Sequence, residues 1–128
     1  MSFFKNIFGE SNDETSVPKI NWTLLTDEQQ LEEIVTLSKS KPVVIFKHST
    51  RCSISRMALK QFEKEFDLED KMTPYFLDLL EYRTISNEIA SIFGVMHQSP
   101  QILVIKNGIS IYDASHGDIQ VEDLRMRY

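Results

Sequence analysis

The sequence predicts an α/β domain with a mixed central sheet and helices on both faces of that sheet. Residues 43–46, VVIF, form a continuous apolar and mostly β-branched run, as in strands that are buried on both sides. Apolar residues recur at helical spacing before and after this run, and Asn107-Gly108 is a strong two-residue hairpin signal. Strand–helix–strand units followed by a hairpin produce a sheet with both parallel and antiparallel pairs.

The first half of the chain supplies two helices around this strand. The first is expected over residues 26–39, with acidic residues near its positive end and Pro42 behind it. The second should start at residue 52 or 53 and end near residue 66. The side chains expected on its buried face are Ile54, Met57, Ala58, Phe62 and Phe66.

The second half continues with a strand at residues 75–79 and a helix at residues 86–93. Gly94 follows this helix, and glycine is the residue type favoured just after a helix C-terminus. Two hairpin strands and a short terminal helix complete the domain, at residues 102–105, 109–112 and 121–128. This order of elements is the thioredoxin arrangement.

Length and composition set further bounds. A chain of 128 residues suits one hydrophobic core, which we assign to residues 17–128. Residues 1–16 comprise a polar linker and an aromatic patch, for which docking on a protein surface is favoured over membrane anchoring. The patch consists of Phe3, Phe4, Ile7 and Phe8.

The net charge of -5 argues against general nucleic-acid binding. No apolar run of about 18 residues predicts a membrane span, so the cytoplasm is the expected location, and the oligomeric state stays open.

Cys52 is the only cysteine, and Ser55 stands where a two-cysteine redox motif would carry its second sulfur. One cysteine cannot form an internal disulfide, so Cys52 is expected to be reduced. At the start of a helix, unpaired backbone N–H groups and the helix dipole favour thiolate over thiol. Nearby basic side chains would act in the same direction, namely Lys47, His48, Arg51 and Arg56. The alternative is an inert core cysteine, although the polar neighbours are unlike those of a core position.

Two further segments offer candidate site residues. Pro100 precedes the first hairpin strand, where thioredoxin-like folds place a cis-proline loop beside the active-site sulfur, and Ser99 would then offer its backbone to an incoming disulfide. The alternative is a proline that merely starts a strand. His48 and His97 are candidates for proton transfer because imidazole titrates near the working pH, and either could equally be a surface residue.

From about residue 22 to residue 118 the chain resembles the monothiol bacilliredoxins, which are thioredoxin-fold proteins. The resemblance rests on FKHSTRCSIS (46–55), on LDLLEYRTISNEIASIFGVMHQSPQ (77–101) and on KNG (106–108). Family members typically have Thr-Cys-Pro-Ile-Ser at the active site, whereas this chain has Arg51-Cys52-Ser53-Ile54-Ser55. The nucleophile and the later serine are kept, while the proline that would stiffen the first helical turn is replaced by Ser53.

The resemblance implies that Cys52 removes bacillithiol, a low-molecular-weight bacterial thiol, from mixed disulfides on client proteins. No bound cofactor is implied; bacillithiol, or another small thiol such as glutathione or coenzyme A, would be a co-substrate. Ser99, Pro100, Arg51 and Ser55 are the expected substrate-positioning residues. Arg51 would steer the malate group of bacillithiol, with a solvated surface arginine as the simpler interpretation.

Three other classes stay in view. Ser49-x-x-Cys52 faintly resembles a peroxiredoxin motif, but the usual proline is missing. A metal site could join Cys52 to a histidine, but the chain has no second cysteine to complete the ligand set. We therefore expect no metal site. The non-enzymatic alternative is a thioredoxin-fold binding or stress-response module whose cysteine does not turn over.

Overall fold

The computed structural model describes residues 20–128, so the aromatic patch and the linker assigned to residues 1–16 lie outside the described residues. The five strands are Thr23–Leu24 (β1), Val43–His48 (β2), Thr73–Asp78 (β3), Gln101–Lys106 (β4) and Ile109–Ser115 (β5). The three α-helices are Gln30–Leu37 (α1), Ser53–Glu65 (α2) and Arg83–Phe93 (α3). Two short 3-10 helices, His116–Asp118 and Val121–Leu124, follow β5.

All five strands form one mixed sheet in the spatial order β1-β3-β2-β4-β5. The strands β1, β3 and β2 run parallel, whereas β4 is antiparallel to β2 and to β5. All six residues of β2 are buried, as expected for a central strand covered on both faces. The predicted fold class is confirmed: this is an α/β chain with a thioredoxin-like sheet.

The sheet separates two hydrophobic clusters because side chains alternate along a strand. Val44 and Phe46 of β2 pack with Phe62 of α2 on one face, which we call the α2 face. Val43 and Ile45 pack on the opposite face with residues of α1 and α3. We call this second face the α1/α3 face. Any residue of β2 can therefore be assigned to one helix layer or the other by its parity.

The turn between β4 and β5 has the expected hairpin form. Asn107 and Gly108 have φ angles of 54° and 79°, the left-handed values that a type I′ turn requires. Ser38, at the end of α1, fixes this turn, because its Oγ accepts the Gly108 N–H at 2.9 Å. The predicted helix end at Gly94 is also confirmed, with φ of 66°.

The predicted buried face of α2 is partly wrong. Phe62 and Phe66 are buried, but Ile54 and Met57 are 55% and 71% exposed. Phe62 sets the helix phase by packing on Phe46, with ring centroids 5.3 Å apart. Stepping back from Phe62 by one and two helical turns reaches Ala58 and then Ser55, so a serine occupies the inward position of the first turn.

The predicted terminal helix over residues 121–128 is also wrong. Only Val121–Leu124 is helical, and it is a 3-10 helix. Val121 and Leu124 are both buried in the cluster on the α2 face, and a 3-10 helix places residues three apart on one side. The two-residue strand β1 was not predicted at all, because a pair of residues carries no alternation pattern.

Candidate active site

Three chain segments meet at one end of the sheet. Strand β2 ends at His48, and β3 ends beside it, since His48 pairs with Asp78. Strand β4 is antiparallel and begins there, with Gln101 opposite Lys47. The turn after β2, the loop after β3 and the loop before β4 therefore lie at the same end. This convergence places the turn that carries Cys52 and the loop that carries Pro100 at the same end of the sheet.

A tight turn delivers Cys52 from the end of β2 to the start of α2. The Cys52 N–H donates to the carbonyl oxygen of Ser49 at 3.2 Å, which closes a four-residue β-turn. Cys52 then takes the N-cap position of α2 with an extended backbone, φ -108° and ψ 121°. Its side chain is partly exposed and makes no capping hydrogen bond. Cys52 therefore lies at the amide end of a 13-residue helix and is partly exposed.

Ser55 is completely buried beneath this turn. Its Oγ accepts the Ser49 N–H at 3.0 Å and lies 2.8 Å from Nδ1 of His48. The serine hydroxyl thus ties together the end of β2, the turn and the first turn of α2. Direct contact between the Ser55 side chain and an incoming disulfide, as the sequence suggested, does not fit this burial. Its hydrogen bonds instead connect β2 to the turn that carries Cys52.

His48 lies on the α2 face, in the same helix layer as Cys52. Its ring is 5% exposed and packs on Phe76 with centroids 5.6 Å apart. Burial lowers the pKa of His48; Asp78 opposes this shift and Arg56 adds to it. The Ser55 oxygen accepts the Ser49 N–H, so the Ser55 hydroxyl is free to donate its proton to Nδ1 of a neutral His48. The proton of His48 would then lie on Nε2.

The loop before β4 contains a cis peptide bond between Ser99 and Pro100. Pro100 is buried, and its carbonyl oxygen accepts the His116 N–H at 3.0 Å. The Ser99 hydroxyl is buried and has no hydrogen-bond partner within residues 20–128. The structure thus places both residues at the end of the sheet where Cys52 lies, as the sequence predicted for a cis-proline loop.

His97 belongs to the other side of the sheet. Its Nδ1 lies 3.4 Å from Oγ of Ser86 in α3. Burial lowers the pKa of His97, and the positive charges of Lys47 and Arg83 add to the shift. The two candidate histidines are therefore on different faces, and His48 is the one that connects to the Cys52 turn through Ser55.

The basic side chains near Cys52 have different surroundings. Arg51, which precedes Cys52 in the chain, is exposed, whereas Arg56 folds back and donates from Nη1 to the Thr50 carbonyl oxygen at 3.0 Å. Lys47 is fully buried on the α1/α3 face, with Nζ donating to Oε1 of Gln101 at 3.0 Å. The expectation that Lys47 acts together with the other basic residues on Cys52 does not fit this placement.

Sequence reasoning missed Gln101 altogether and misjudged Lys47. A detectable signal existed: Lys47 has the same parity as Val43 and Ile45 in a strand that is buried on both faces. Lysine is almost never fully buried unless it has a partner. A lysine at an inward position of a central strand therefore indicates a polar partner on the neighbouring strand.

A cleft of about 530 Å³ runs between the start of α1 and the start of α3, and Cys52 does not line it. No group of three metal-ligating side chains comes together within residues 20–128. Over the same residues, no helix is long and apolar enough to cross a bilayer.

Comparison with known proteins agrees with this geometry. The profile of the family described as "Monothiol bacilliredoxin BrxC" matches residues 23–124. A solved structure described as having a thioredoxin fold is 36% identical, with a TM-score of 0.69, over 80% of this chain and 89% of that one. Thioredoxin from Malassezia sympodialis is 23% identical, with a TM-score of 0.64, over 86% and 90% of the two chains. Thioredoxin from Fasciola hepatica is 18% identical, with a TM-score of 0.59, over 80% and 92%. The last two share the fold.

Proposed function

Because the chain belongs to the monothiol bacilliredoxin family and is a thioredoxin-fold thiol redox protein, we propose that it removes bacillithiol from mixed disulfides on other proteins. The observation that carries the proposal is the placement of Cys52. Cys52 is partly exposed at the N-terminus of α2, at the same end of the sheet as the cis-proline loop, while Ser55 occupies the place of a second sulfur. This arrangement supports exchange chemistry that uses one sulfur.

The reaction conserves disulfide bonds. The Cys52 thiolate attacks the bacillithiol sulfur of a client protein, the client thiolate leaves, and a Cys52–bacillithiol disulfide forms. The leaving thiolate takes up a proton from solvent or from an imidazole. A second low-molecular-weight thiol then attacks this disulfide as its thiolate, which restores the Cys52 thiolate and releases a small-molecule disulfide. The reducing equivalents come from that external thiol, because the chain has no second cysteine.

The surrounding residues have distinct proposed roles. Ser99 and Pro100 would present backbone groups to the disulfide, and Arg51, exposed next to Cys52, would attract an anionic small thiol. His48 is better placed than His97 to exchange a proton near the sulfur, since Ser55 links it to the Cys52 turn. A reducing compartment keeps a lone thiol available, so we propose that the protein works in the cytoplasm.

The test is turnover on a modified protein. A bacillithiolated client is incubated with catalytic amounts of the protein and excess bacillithiol, and the freed client thiol is followed by intact mass. Many turnovers per protein molecule are expected, with none for Cys52→Ser. At most one equivalent of released client would contradict the proposal and indicate a binding module whose cysteine is only modified. Glutathionylated client tests the choice of thiol, since release at an equal rate would contradict specificity for bacillithiol.

A further inference from the structure

Gln101 is the centre of a buried hydrogen-bond network at the start of β4. Its side chain is 1% exposed and both ends of its amide are used. Nε2 of Gln101 donates to the carbonyl oxygen of Met96 at 3.1 Å and to Oγ of Ser115 at 3.4 Å. Oε1 of Gln101 accepts from Nζ of Lys47 at 3.0 Å and from the Gln98 N–H at 3.4 Å. Two of these bonds close residues 96–101 into a loop, and that loop contains the cis peptide bond before Pro100.

Lys47 is an unusual partner for this amide. It is 0% exposed on the α1/α3 face, and no carboxylate lies within salt-bridge distance of it in the described part of the chain. A buried charge without a counter-ion costs stability, so a lysine here is not explained by packing. Lys47 stands directly opposite Gln101 in the antiparallel pairing of β2 and β4, where its amine reaches Oε1.

We propose that Lys47 and Gln101 are positioning residues that hold the backbone of residues 96–100 in place for a disulfide substrate presented to Cys52. This inference rests on the proposed function. Lys47 fixes the orientation of the Gln101 amide, because a protonated amine can donate a hydrogen bond to the amide oxygen but not to the amide nitrogen. The amide nitrogen is thereby directed to the Met96 carbonyl oxygen, at the start of the loop. Lys47 itself touches neither the sulfur nor the substrate.

The other supports of this loop are few. One backbone bond, from the His116 N–H to the Pro100 carbonyl oxygen, holds its C-terminal end. Met96 at its N-terminal end is 80% exposed, so the Met96 side chain contributes little packing. Nδ1 of His97 also lies 3.4 Å from Oγ of Ser86 in α3. The Gln101 amide contacts two backbone groups of the loop, Met96 O and the Gln98 N–H, and Lys47 donates to the same amide oxygen as Gln98.

The test compares Lys47→Met with Lys106→Met, which makes the same change at the far end of β4. Methionine fits a lysine-shaped space without a charge, so Lys47→Met should be at least as heat-stable as the wild type. Its kcat/KM for a bacillithiolated client should nevertheless fall about ten-fold, the loss expected for one charge-assisted hydrogen bond. Alkylation of Cys52 by iodoacetamide should not change, because this small reagent does not need the loop. Lys106→Met should resemble the wild type throughout.

Gln101→Glu separates the two partners. It keeps an acceptor for Lys47 but removes the N–H groups that bind Met96 and Ser115, so kcat/KM should again fall and iodoacetamide reactivity persist. Wild-type kcat/KM in either variant would overturn the proposal. So would slower alkylation in Lys47→Met, because Lys47 would then act on the sulfur itself.

Hydrogen–deuterium exchange keeps this inference separate from the proposed function. The backbone N–H groups of residues 96–99 should exchange faster in both variants than in the wild type, whether or not any client is turned over. Unchanged exchange would overturn the positioning role even if turnover is seen. Faster exchange without wild-type turnover would leave the positioning of the loop supported and reject the proposed reaction.

Discussion

Replacing Ser55 by alanine tests how the turn that carries Cys52 is held. The change removes the acceptor of the Ser49 N–H and the partner of His48 Nδ1, both within a completely buried site. Each bond contributes about 1 kcal/mol, and a buried group left without a partner adds to the loss, so we expect about 2 to 3 kcal/mol. The matched control is Ser53→Ala, on the exposed side of the same helical turn, which should change stability by less than about 0.5 kcal/mol.

Urea unfolding followed by tryptophan fluorescence measures this difference. Trp22 is the only tryptophan, and its ring stacks on Phe62 of α2 with centroids 5.9 Å apart. Its emission therefore reports the loss of the α2 face. Iodoacetamide labelling adds a functional readout, because a loosened turn should alter the reactivity of Cys52. Equal stability of the two alanine variants would refute the assigned role of Ser55.

Three further predictions concern other parts of the molecule. Gly108→Ala should lower the free energy of unfolding by about 1 kcal/mol or more, because φ is +79° and the added methyl would lie 3.3 Å from Val35. Gly117→Ala is the control and should not change stability, because the space around Gly117 is open. Equal effects of the two substitutions in urea unfolding would contradict this prediction. Burial lowers the pKa of Lys47 to about 8 from 10.5, so the unfolded chain binds more protons in this window and wild-type stability should rise from pH 8 to 10.5. The gain is on the order of 2 kcal/mol and should be missing in Lys47→Met; parallel profiles would count against it. The pKa of His48 is also lowered by burial, so the stability that the neutral His48 contributes is complete above pH 6.5 and is lost as the pH falls below that value. In His48→Asn, stability should therefore fall less steeply with decreasing pH than in the wild type. An equally steep fall in the variant would contradict this prediction.

Local signals carried much of the fold. The continuous apolar run of β2 and the Asn-Gly turn each express their structure within a few residues, and both predictions are confirmed. The end of α3 at Gly94 is confirmed for the same reason. The two-residue strand β1 exists only because β3 lies beside it, so no local pattern could reveal it.

The buried face of α2 required tertiary information. Counting apolar residues favoured Ile54 and Met57, but packing of Phe62 against the sheet sets the phase and turns both outward. The same phase buries Ser55, so its role beneath the turn could not be deduced from its sequence position alone. Helical periodicity allows several phases where apolar and polar residues are interleaved, and only the sheet decides between them.

The site was predicted to a similar extent. The sequence located Cys52 at a helix start and Pro100 before a strand, and the structure brings both to one end of the sheet. Lys47 and Gln101 stand opposite each other because of the register between β2 and β4, which are distant in sequence. Register of this kind follows from the whole sheet, which is why the network was not foreseen.

The reactivity of Cys52 toward bacillithiol is measured most directly by the intact mass of the purified protein after brief, parallel exposure to oxidised bacillithiol and oxidised glutathione. We expect a fast bacillithiol adduct on Cys52 that a reductant reverses, that is absent in Cys52→Ser and that forms much more slowly with glutathione. Slow adducts formed equally with both disulfides would show that Cys52 is an ordinary thiol and that the protein is not a bacillithiol-specific oxidoreductase.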